Sequence, residues 1–134
     1  MLRSAVAFTI SAATTLAAYL ALLGWDQEKE TGPDGYLHGP YAAWQVAAMA
    51  LTVGVIAWLG GRYNRIPSSV SAATITLTVA WSIDAATDVE DDGLWPLGAT
   101  MVAFGCALAL PLIATLARIT SARGRSSESP AAHR

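Results

Sequence analysis

Asp84, Asp88, Glu90, Asp91 and Asp92 place five carboxyl groups within nine residues, between two long runs that carry no charge. Carboxylates grouped this closely supply the hard oxygen ligands that Ca²⁺ prefers. An acid rooted inside an apolar helix has a second use, because such groups carry protons and ions across membranes. The segment Asp88-Val-Glu-Asp-Asp-Gly93 matches the opening of an EF-hand loop, with Glu90 at the third position. The twelfth position should supply a bidentate glutamate, and here it is Ala99, so a true EF-hand is excluded. What remains is a weak divalent-cation loop of Asp88, Glu90, Asp91 and Asp92, set against an acidic surface that is merely hydrated.

Asp84 poses a separate question. On a helix it lies one turn, about 6 Å, inward of Asp88. Groups at similar depth are Gln45 and Tyr41, with Trp44 and Trp81 nearby, and His38 just precedes the second apolar run. Asp84, Asp88, Gln45 and His38 thus form a candidate ion or proton site. The competing reading is structural. An acid at a helix centre costs roughly 2.5–3.5 kcal/mol to insert and less near the interface, which a hydrogen bond can offset.

These groups must be positioned by apolar helices. The chain of 134 residues is 54% hydrophobic and only 13% charged, about half the charge of a soluble domain. A bilayer core about 30 Å thick is crossed by about 20 apolar helical residues, and four runs of that kind are present. The expected fold is all-α: an integral membrane four-helix bundle with helices at about 4–23, 41–60, 67–87 and 94–118. Residues 1–120 form one membrane domain, and 121–134 read as a disordered basic cytoplasmic tail. The first run is longer than a signal-peptide core and ends in bulky residues, so it is read as a retained helix. Pro40, Pro67 and Pro96 suit helix starts, whereas Pro111 lies inside the fourth helix and should kink it.

Small residues allow membrane helices to approach closely. The second helix shows the stripe Ala43, Ala47, Ala50, Gly54, Ala57, Gly61. The first shows Ser4, Ala7, Ser11, Thr14, Ala18, Ala21. Both imply tight antiparallel packing. The third helix, rich in Ser and Thr, is expected to be the most protein-buried, with Ser69, Ala73, Thr76 and Ala80 leading along one face to Asp84. Ser11-Ala-Ala-Thr14 recurs as Ser71-Ala-Ala-Thr74, and Asp34-Gly35 as Asp92-Gly93, the hints of a duplicated hairpin.

Lys and Arg in short loops remain cytoplasmic. Seven of the eight basic residues fall at the N-terminus, in the second loop or in the tail, and nine of the ten acids fall in the first and third loops or beside them. The expected orientation has both termini inside (N-in/C-in) and two hairpins with acidic outer loops. Seven arginines against one lysine, with abundant alanine, suit a GC-rich bacterial genome.

In length and four-helix plan the chain resembles the small multidrug exporters. That resemblance implies proton coupling through an embedded glutamate in the first helix. Here that helix holds no acid, so the logic fails unless Asp84 substitutes. Membrane oxidoreductases that make disulfides need paired cysteines, and Cys106 is alone. No zinc-ligand spacing, nucleophile–base pattern or phosphate loop is found, so no enzyme, metal or cofactor is expected. Two functions stay open: a plasma-membrane protein with a structural or partner-binding role, or an oligomeric cation- or proton-coupled transporter or channel using Asp84. The expected partners are the lipid bilayer and a second copy or another membrane protein, with no nucleic acid.

Overall fold

The computed structural model describes residues 1–24, 41–87 and 93–127. Four helices follow one another: α1 (Leu2–Leu22), α2 (Ala43–Arg62), α3 (Ile66–Thr87) and α4 (Trp95–Ser127). All four are long and apolar enough to cross a membrane. At 1.5 Å per residue even α2, with 20 residues, spans about 30 Å, the thickness of a bilayer core.

Burial runs opposite to that of a water-soluble bundle. Ala57, Ala72, Ala73, Ala114 and Ala117 are fully buried, while Leu97, Met101, Phe104, Leu108 and Leu112 are 62–69% exposed along one side of α4. Ile75, Val79 and Ile83 are likewise exposed on α3. In water so continuous an apolar exterior would drive aggregation. In lipid the exterior costs nothing, and small residues at the contacts let backbones approach.

Contacts at the two ends fix the sense of each helix. Arg65 meets Ser4 at one end and Tyr19 meets Asp84 at the other, so α1 and α3 run parallel. Met49 and Val53, early in α2, share a cavity wall with Val102 and Cys106, early in α4, and Gly61, late in α2, lies on Ala114 further along α4, so these two also run parallel. The extensive pairs are α1 with α3, α2 with α4 and α3 with α4; α1 with α2 is the sparsest of the touching pairs, and α1 and α4 do not meet. The stripes on α1 and α2 imply tight antiparallel packing, yet these two antiparallel neighbours touch least, and the extensive antiparallel pair is α3 with α4.

The stripes themselves hold in part. On α2, Ala57 and Gly61 are buried, but Ala43, Ala47 and Ala50 are exposed, and Gln45, Met49 and Val53 fill the contact there. On α1 the buried line is Ser11, Thr15 and Tyr19, four residues apart along one helix face, with Thr14 and Ala21 turned outward. On α3, Ser69 and Ala73 are buried as expected. Yet α2 has more fully buried residues than α3, so the two share the centre. The matching tetrads occupy unlike settings: Ala13 and Thr14 are exposed, whereas Ala72 and Ala73 are buried.

Hydroxyls inside the helices mostly bond back to the carbonyl four residues earlier, as Thr52 does to Ala48, Ser82 to Thr78 and Thr120 to Leu116. That satisfies them where no water is present. Pro67 and Pro96 each stand second in their helices, where the lost N–H has no intrahelical partner. Pro111 lies within α4, which continues as a single helix to Ser127. The tail expected from residue 121 is thus helical over 121–127. Arg118 and Arg123 end the lipid-like run without ending the helix, because arginine is a good helix former. Pro40 and residues 128–134 lie outside the described residues.

The turn between α2 and α3 is short because Asn64 adopts φ 56, a left-handed conformation that Asn tolerates better than most residues. Asn64 N–H donates to Gly61 O and Arg65 N–H to Gly60 O. This is a Schellman closure, in which the turn satisfies the last carbonyls of α2. Ser69 N–H then donates to Arg65 O as α3 begins. The turn fixes the backbone of Arg65 at the junction.

Candidate functional site

Asp84 lies in the last turn of α3. Its Oδ2 accepts a hydrogen bond from Tyr19 Oη at 2.6 Å and another from Tyr41 Oη at 3.1 Å. The two phenol oxygens are 3.5 Å apart. Tyr19 comes from the last turn of α1 and is only 3% exposed. Tyr41 stands two residues before α2. One carboxyl oxygen thus joins α1, α3 and the segment that leads into α2 at one end of the bundle.

The local sequence explains the convergence. Tyr19 continues the buried line Ser11–Thr15 at four-residue spacing, which faces α3 because these helices run parallel and in contact. Asp84 continues the Ser69–Ala73–Ala80 face of α3. Hydrogen bonds to a charged acceptor are worth roughly 1.5–3 kcal/mol in proteins, although interhelical bonds in membranes average about 0.6 kcal/mol. Two donors on one acid cover the insertion cost of an acid near the interface.

The expected partners divide. Tyr41 is one. Gln45 is not: it is 1% exposed, and its Oε1 accepts from Ala42 N–H at 2.6 Å. This is the reach-back half of a capping box; Ala42 has no side-chain oxygen to complete the other half. The start of α2 thus takes up the amide expected beside Asp84. Trp44 is 59% exposed, and the Trp81 ring lies against Gly98, leaving no room there for a Cβ. His38, Asp88, Glu90, Asp91 and Asp92 lie outside the described residues, as does the proposed cation loop. Among the described residues no group of three or more His, Cys, Asp or Glu could hold a metal. Tyr19 is the residue that sequence reasoning missed. Its signal was present: it is the only ionisable side chain in the first apolar run, at a depth matching Asp84.

Below the phenols lies an apolar cavity of about 400 Å³, with walls that include Tyr19, Met49, Val53, Leu77, Trp81 and Cys106. The lone cysteine is half-buried and free. Thr15, one turn inward of Tyr19, is fully buried and its hydroxyl has no partner. Thr74 and Thr78 also bury hydroxyls without partners. The Thr15 hydroxyl therefore does not extend the Tyr19–Asp84 pair inward along α1. Two phenol hydroxyls from other parts of the chain converge on one acid, an arrangement suited to joining helices.

The bundle and its tyrosine–aspartate junction define an all-helical chain of the multi-pass membrane type. No family model, curated protein or solved structure matches it.

Proposed function

We propose that the protein is a multi-pass component of the plasma membrane with a structural or partner-binding role, in which Asp84 serves as a latch between helices. Both termini face the cytoplasm, and the acidic segments at 26–34 and 88–92 face outward. The observation that carries the latch is the pair of phenol hydroxyls on Asp84 Oδ2. The acid is engaged from α1 and from the segment that leads into α2, above an apolar cavity. The orientation draws support from charge. Arg3, Arg62 and Arg65 gather at the end of the bundle opposite Asp84, as the Arg65–Ser4 contact and the α2–α3 turn require, and basic residues mark the cytoplasmic side. The partner is the bilayer itself, with a second copy or another membrane protein on the exposed apolar faces. No catalytic role is assigned.

Two measurements test this. In a Cys106→Ala background, a cysteine at position 91 should react with an impermeant maleimide on intact cells, and one at position 64 only after cells are opened. The reverse pattern would invert the orientation. In liposomes holding the purified protein under a pH gradient, proton flux should match that of empty liposomes. Flux that Asp84→Asn abolishes while the bundle stays folded would establish the transporter reading in place of the latch.

A further inference from the structure

Another cavity lies at the opposite end, where α1 and α2 part. About 420 Å³ opens between them and the foot of α3, with Ile10 and Thr14 on one wall, Val55 and Leu59 on the other, buried Ser69 on the inner side and Arg65 at the mouth. The walls face outward: Ile10 is 61% exposed, Val55 56% and Leu59 44%. The gap exists because α2 leans on α4 through Gly61 and Ala114, leaving α1–α2 the sparsest touching pair.

Arg65 is held at this mouth by two constraints. Its backbone closes the Schellman turn, and its Nη1 donates to Ser4 Oγ at 3.4 Å. A hydroxyl leaves the guanidinium's charge uncompensated. The only acid among the described residues is Asp84, about 28 Å away along α3. Arg62 lies on the same turn, and Arg3 precedes the Ser4 that Arg65 touches. An apolar groove open to the side, with a fixed guanidinium at its mouth, has the two ends of a phospholipid: tail and phosphate. Guanidinium forks match phosphate oxygens, and basic pockets between membrane helices on the cytoplasmic side bind anionic headgroups.

We propose that the α1–α2 groove holds one acyl chain of an anionic phospholipid from the cytoplasmic leaflet, whose phosphate sits on Arg65 beside the Ser4 hydroxyl. This rests on the membrane reading given above, and the orientation sets which leaflet supplies the lipid.

The test is native mass spectrometry of the full chain from detergent, titrated with phosphatidylglycerol or phosphatidylcholine of identical acyl chains. The protein should retain one phosphatidylglycerol, preferred several-fold over phosphatidylcholine. Arg65→Gln should cut that preference about fivefold, the worth of one arginine at an anionic surface. Arg65→Lys should keep most of it, and Arg118→Gln should leave it unchanged. Ala7→Phe, which fills the groove, should release both lipids while leaving the charge. Circular dichroism with unchanged helix content would show that each variant folds. Equal retention of the two lipids, or a preference unaffected by Arg65→Gln, would overturn the proposal. So would displacement of the lipid by millimolar inorganic phosphate, which would mark a soluble-anion site. Failure to label as a membrane-spanning protein would instead remove the reading beneath it.

Discussion

Gly61→Val is expected to separate α2 from α4 and to be among the most damaging single substitutions in the chain. A Cβ at Gly61 would overlap the carbonyl oxygen of Ala114 and lie 2.7 Å from its carbonyl carbon and 2.9 Å from its Cα. These are backbone atoms of a helix, so no side chain can rotate away. Overpacking in a formed core costs typically about 1–3 kcal/mol, and valine adds two further methyl groups against rigid backbone, placing the loss at or above the top of that range. Reversible unfolding in mixed detergent micelles should show the midpoint displaced or the folded state lost. Ala50→Val is the matched control. Ala50 belongs to the same sequence stripe but is exposed, and its substitution should change stability by less than about 0.5 kcal/mol.

The second large effect falls on Asp84. Asp84→Leu removes the acceptor for two phenols, one of them almost fully buried. The loss should exceed the value of the hydrogen bonds, because an orphaned buried donor loses its solvation as well, about 1–3 kcal/mol. Tyr19→Phe removes one donor and leaves Tyr41 on the acid, so it should cost less, about 1 kcal/mol. Asp84→Asn keeps an oxygen acceptor and should fall between wild type and the leucine variant.

The four helices were legible because lipid imposes a length and a polarity that few other environments share. Their ends were less so. Charges at Arg118 and Arg123 mark where lipid ends, and α4 continues past them to Ser127. The stripe on α2 was read correctly at Ala57 and Gly61, which are buried, with Gly61 on the backbone of α4. It failed from Ala43 to Ala50, where Gln45 and Met49 make the contact. Small residues permit close packing without compelling it. The site divides in the same way. Asp84 stood out because an acid after an apolar run is costly. Its main partner, Tyr19, lies 65 residues away on a helix that runs parallel to α3. No single-helix periodicity reveals which neighbour a face will meet. Gln45 looked like a ligand from its depth alone, but the free N–H at the start of α2 was nearer.

The latch is tested most directly by a double-mutant cycle on Tyr19→Phe and Asp84→Leu, with unfolding free energies read in the same micelles. The account predicts that the double variant loses less than the two single losses combined, by about 1 kcal/mol or more, since with both partners apolar no donor on α1 is left orphaned. Losses that add to within about 0.3–0.5 kcal/mol would mean that Tyr19 and Asp84 act independently, and α1 would not be fastened to α3 through this pair.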